Sequence, residues 1–205
     1  MKNLQNVRYA IATVAAVAAV AAFAPKADAQ TQAFSSTVTV QNTLTLAKIQ
    51  DLNFGTLIVA RGAATTSTIV LDPTKAVGAA YLPADITSNA PSYIAVISAA
   101  AVSPAEVTVA AGAPGATINV NIPAVSITAP TAGLNAFALS AWQYSWNAGP
   151  ATAIVPGTPA QVVFDQTFNG GVNNLKVGAT LGTTTGGTAY ADVAHVGAFN
   201  VVFSY

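Results

Sequence analysis

The only histidine of the chain, His195, lies close to Asp192 in the stretch "AYADVAHVGAF". A serine–histidine–acid site built on this pair needs a positioned nucleophile, and the chain has no Gly-x-Ser-x-Gly elbow. One histidine and no cysteine cannot supply the usual zinc ligands. Calcium takes carboxylates and carbonyls, but no Asp-x-Asp-x-Asp-Gly loop is present. Glycoside hydrolysis needs two facing carboxylates. Here the acids stand singly, in "LD", "PAD" and "AYAD", as turn and strand-end residues do. The expectation is a protein that is not an enzyme, has no cofactor and no metal, and carries His195 as a loop residue.

The aromatic residues offer contact chemistry instead. In "NAFALSAWQYSWNAG", Phe137 and Leu139 have one parity while Trp142, Tyr144 and Trp146 have the other. In a straight strand with Phe137, Leu139 and Ala141 inside, the three aromatics line the outer face. They then form a subunit interface or a platform on which a glycan stacks. A bulge between the two sets would put both inside, because one extra residue flips the face.

Any such site is positioned by strands. Candidate strands are Phe34–Leu46, Phe54–Ala60, Thr68–Asp72, Tyr93–Ser98, Glu106–Ala110, Thr117–Ile122, Phe137–Trp146, Gln161–Phe168, Leu175–Leu181 and Phe199–Tyr205. Gly- and Pro-rich turns such as "RGAATTS", "AAGAPGA", "VPGTP" and "NGG" separate them. Short strands at near-regular spacing predict an all-β antiparallel sandwich or barrel. The Ala-rich "AVISAAAVSPAE" reads as a strand ending in a loop, given its β-branched residues and Pro104. There is no internal repeat and no second-domain boundary.

The beginning of the chain predicts export. Lys2 and Arg8 precede the apolar run Ala10–Ala24, and "ADA" follows at residues 27–29. These are the parts of a secretory signal peptide cleaved after Ala29. The run is shorter than the roughly 20 residues of a membrane span, so no stable span is expected after cleavage. Residues 30–205 keep Lys48, Arg61, Lys75 and Lys176 against Asp51, Asp72, Asp85, Glu106, Asp165 and Asp192. This near-neutral balance without a basic cluster argues against nucleic acid. Only 7% of the chain is charged, well below the roughly 25% of ordinary domains. Mean hydropathy is +0.53, so much of the surface is expected to face other protein.

The two ends of the secreted part are both apolar on one face. In "AFSSTVTVQNTLTL", Phe34, Val38, Val40, Leu44 and Leu46 share a parity interrupted by Ser36 and Asn42, and the other parity is polar from Ser35 to Thr45. In "GAFNVVFSY", Phe199, Val201, Phe203 and Tyr205 share a face. After the expected cleavage the first segment would have no predecessor with which to form a hairpin, and the expectation for both segments is a pairing partner elsewhere.

"LNFGTLIV" at residues 52–59 and the tail "LKVGATLG…GAFNVVFSY" resemble the bacterial exported family known as domain of unknown function 4402. The matching positions are Leu52, Phe54 and Gly55, then Val177, Gly178 and Leu181, then Gly197, Phe199, Val201, Phe203 and Tyr205. The tail is also similar to subunits of chaperone–usher pili, including the spore-coat-protein-U-like branch. That resemblance implies an immunoglobulin-like sandwich that lacks its last strand and is completed by a neighbour's N-terminal extension. It divides the chain into a cleaved leader (1–29), an extension (30–46) and a sandwich domain (47–205). Phe34, Ser36, Val38, Val40 and Leu44 would be the donor strand, with Ser36 in the small-residue slot. Phe199, Val201, Phe203 and Tyr205 would be the acceptor edge. The partners implied are copies of the same chain, a periplasmic chaperone and an outer-membrane usher. The place implied is a cell-surface filament. A self-contained exported binding module, with residues 33–46 paired to its own last strand, is the other expectation.

Overall fold

The computed structural model describes residues 43–123, 127, 134–185 and 189–205. The chain divides into two compact units, Met1–Val40 and Gln41–Tyr205. The expected leader and the expected donor residues Phe34, Ser36, Val38 and Val40 lie outside the described residues. Within the second unit, twelve strands are described: β1 (Thr45–Gln50), β2 (Thr56–Ala60), β3 (Thr68–Leu71), β4 (Ile86–Thr87), β5 (Tyr93–Ser98), β6 (Ala105–Ala110), β7 (Thr117–Asn121), β8 (Ala138–Trp146), β9 (Thr152–Ala153), β10 (Ala160–Val163), β11 (Asn173–Gly182) and β12 (Val202–Ser204). The helical elements among the described residues are two short 3-10 turns, Pro83–Asp85 and Phe168–Gly171. No helix there is long and apolar enough to cross a membrane.

Every strand pair is antiparallel. The centre is β11. Its Leu175, Val177, Ala179 and Leu181 alternate into the core, each nearly or wholly buried, as the period of two requires. On one side β11 pairs with β8. On the other it pairs first with β6 and then with β3, and β1, β4 and β9 extend this seven-stranded sheet. A three-stranded sheet β10-β7-β12 and a two-stranded sheet β2-β5 face it. Ile118, Val120 and Val162 from the former meet Val109, Leu175 and Val177 in one apolar cluster. Ile94 from the latter meets Ile69 and Leu181 in a second. The protein is thus all-β, with antiparallel sheets enclosing a core as in a sandwich.

Gly178 sits where β6 and β3 part company along β11: Val177 pairs with Ala105, and Ala179 pairs with Leu71. The chain leaving β3 crosses there so closely that a Cβ on Gly178 would lie 2.0 Å from the Leu71 carbonyl oxygen and 2.8 Å from the Pro73 nitrogen. Gly55, just before β2, has φ of +82° and would place a Cβ 2.5 Å from the Ser98 carbonyl oxygen. The glycines of both quoted motifs are therefore steric requirements of the backbone.

Three expected elements differ from the structure. The strand expected over Phe34–Leu46 has its described part in β1, which begins at Thr45 and pairs Thr45 with Ala110 and Leu46 with Val109. Leu44, expected in the donor strand, packs here on the apolar cluster of its own chain. The strand expected to reach Phe168 ends at Val163, because Asp165 caps a turn. Its Oδ1 accepts from the Thr167 hydroxyl at 2.6 Å, the Thr167 amide at 2.8 Å and the Phe168 amide at 3.3 Å. The Thr167 hydroxyl and then its amide hold that carboxyl below the usual carboxylate range. Lastly, the ladder of the final strand covers only Val202–Ser204.

Candidate functional site: a groove between two open strand edges

The parity conflict in β8 is resolved by a bulge. Gly178 pairs with Gln143 and Thr180 with Ser140, so Ala141 and Trp142 together oppose Ala179. Ala141 takes φ of +43°, a left-handed conformation that re-aims the strand. Phe137 and Trp142 are consequently both buried, and Leu139, Tyr144 and Trp146 pack on the core partly buried. Trp142 is 2% exposed and leans on Phe199 at a ring-centroid distance of 5.0 Å. The Trp146 indole donates to the Val163 carbonyl at 3.0 Å, tying β8 to the facing sheet. Of the two readings of these aromatics, the bulge is the one found: Trp142 and Trp146 join the two layers, and Tyr144 packs on the same cluster.

Among the described residues, the strands of the second layer other than β7 each have one edge without a ladder, and two of them border one groove. β2 pairs only with β5, and β12 pairs only with β7. Between them runs a groove of about 1500 Å³, larger than the roughly 300–1,000 Å³ of small-molecule pockets. Consecutive residues line both walls, Asp51–Val59 on one side and Tyr190–Val201 on the other. Of the first stretch Thr56–Val59 belong to β2; the second is the irregular chain that leads into β12, whose Phe203 also lines the groove. The floor is apolar, with Phe137, Leu139, Leu175, Val177 and Leu181.

The walls run in opposite directions. Leu52 packs with the cluster around Leu175 and Val177, Phe54 with both clusters, and Leu57 and Val59 with the cluster around Ile69 and Leu181. On the opposite wall, Tyr190 belongs to the Leu181 end, and Phe199, Val201 and Phe203 belong to the Leu175 end. Phe199, Val201 and Phe203 are half-buried, and Tyr205 is 50% exposed. The face expected to be apolar is turned to the core as far as Phe203.

The Leu181 end is closed by rings. Phe137 stacks on Tyr190 at 4.5 Å and meets His195 edge-on at 4.9 Å. The Tyr190 hydroxyl accepts from the Thr184 amide at 2.8 Å. His195 Nε2 lies 3.1 Å from the Ala191 carbonyl, to which it donates, while Nδ1 is buried without a hydrogen-bond partner. Asp192 is exposed and does not bond the imidazole. Among the described residues, no three His, Asp or Glu side chains come together as a metal site.

A half-buried tyrosine and ion pair support the β2 wall. The Tyr81 hydroxyl donates to the Phe54 carbonyl at 3.3 Å, and Lys75 lies over its ring while pairing with Asp85 at 3.1 Å. Burial first, and the Asp85 charge second, push the Tyr81 phenol well above the ordinary tyrosine range. A raised folded-state value means that the neutral phenol's contribution is complete below about pH 10, the ordinary tyrosine value. It is lost as pH rises from there through the folded-state value. Alkaline melts should therefore show wild type losing stability more steeply above about pH 10 than Tyr81→Phe. Parallel curves would remove Tyr81 from this role.

No family model, curated protein or solved structure matches the chain.

Proposed function

We propose that this protein is a structural subunit of a bacterial cell-surface filament, an incomplete immunoglobulin-like sandwich completed by the N-terminal strand of a neighbouring copy. It performs no catalysis. One observation carries the reading: among the described residues, β2 and β12 each lack a ladder on one edge, and both border a groove with an apolar floor. A strand laid in it gains main-chain ladders on both sides and seats alternate side chains below, as in strand addition generally. The segment containing Phe34, Ser36, Val38 and Val40 has the matching pattern, one face apolar and the other polar. Burying Phe34, Val38 and Val40 contributes about 1.5–3 kcal/mol each. An open edge above an apolar groove is an aggregation hazard, so a periplasmic chaperone covers it until an outer-membrane usher brings the next subunit. The N-terminal leader exports the chain, and its few charges suit a surface that faces other copies.

The test mixes two variants during assembly. One lacks residues 30–42 and keeps its groove. The other keeps its donor but carries Val201→Asp and Phe203→Asp. The truncated variant is expected to fold around the other's strand and appear as a mixed complex. Wild type should run as a ladder on unboiled gels. A purely monomeric wild type, with no mixed complex, would mean that the segment pairs in its own chain and would overturn the proposal.

A further inference from the structure

A strand filling the groove has two possible directions, and the short neck from Val40 to Thr45 decides what each would build. β1 begins at the Leu175 end of the molecule: Thr45 pairs with Ala110, Leu46 with Val109, and Val109 in turn with Asn173. From Val40 to Thr45 the chain spans at most about 3.3–3.6 Å per residue, under roughly 20 Å in all. The body of the donating copy must therefore lie against whichever end of the groove its strand leaves. A strand parallel to Phe199–Phe203 leaves at the Leu175 end, where the accepting copy's own neck begins. Two necks then meet, and the arrangement closes as a two-fold swapped dimer. A strand antiparallel to Phe199–Phe203 leaves at the Leu181 end. One copy's Leu175 end then meets the next copy's Leu181 end, a head-to-tail contact that repeats without closing.

The surface beside the Leu181 end suits such a contact. Val193 is 60% and Val196 is 73% exposed, and Ala194 between them is exposed too. They flank His195 on the ring cluster just described. At the other end, the turn after β6 reads "AAGAPGA" at residues 110–116, uncharged and small, with Ala111, Pro114 and Gly115 exposed. We propose that Val193–Val196 is a docking surface for the neck and the Ala110–Gly115 turn of the copy whose strand fills the groove. This deepens the filament reading and rests on it. The contact fixes strand direction, and with it the choice between an open filament and a closed dimer.

The chain has no cysteine, so introduced thiols report contacts cleanly. Thr43→Cys and Val196→Cys, combined in the full-length chain, should be joined between copies by a short bis-thiol reagent. The product expected is a covalent ladder that survives boiling. Thr43→Cys alone should give no covalent ladder, and dimers joined through it would mean that necks meet, overturning the proposal. If the unboiled ladder is present but Thr43→Cys and Val196→Cys remain unlinked, the docking surface is wrong and strand exchange stands. If no unboiled ladder forms at all, the filament reading falls and this inference with it.

Discussion

Gly178→Ala is expected to abolish stable folding, at a cost of about 4 kcal/mol or more, the range reached only by severe steric or burial defects. The added methyl would sit 2.0 Å from the Leu71 carbonyl oxygen and 2.8 Å from the Pro73 nitrogen. Both are backbone atoms, so no side-chain rotation relieves the overlap. Retreat of the Leu71–Pro73 segment would break the pairing of Leu71 with Ala179, and Ile69 and Leu71 are wholly buried. Soluble yield and the denaturant midpoint are the measurements. A variant within about 1 kcal/mol of wild type would show that β3 and β6 do not meet at this point of β11.

Trp142→Ala should be the most costly of the side-chain truncations, at about 3–5 kcal/mol, as for large aromatic residues in cores. Trp142 reaches from β8 across to Phe199, so its loss opens a cavity between the layers and loosens one wall of the groove. Strand exchange should weaken along with stability. Trp142→Phe should recover part of both. An unchanged melting temperature accompanied by a loss of surface binding would instead make Trp142 an exposed contact residue.

Much of the strand framework is legible in the sequence because burial follows a period of two. Leu175–Leu181, Thr117–Ile122 and Tyr93–Ser98 are close to the expected segments, and the apolar parity of the tail is the one that faces the core. What is not legible is whatever depends on a residue's neighbours in space. Parity in β8 allows two answers, and only the pairing of Ala179 with two residues decides between them. The part of β1 beyond Leu46 escapes detection because "TLAKIQ" lies at a sheet edge, where Leu46 and Ile49 are 46% and 55% exposed and no alternation is imposed. β4 and β9, two residues each, are too short to have a pattern. The groove joins residues 51–59 to residues 190–201, and nothing local in either stretch says that the two face each other. The two glycines of the quoted motifs are visible as letters, but the carbonyls that forbid a side chain there are not.

The way β1 is held has a mechanical consequence. The body is entered at Thr45, and the β1–β6 ladder extends inward from there through Leu46, Ala47 and Lys48 to Gln50, opposite Ala110 to Glu106. Its hydrogen bonds stand perpendicular to the strands. A pull on the neck along the strand axis loads all of these bonds together, in shear, whereas a sideways pull would peel them one at a time. Tension along the strands is thus the direction in which the first strand of the domain resists best.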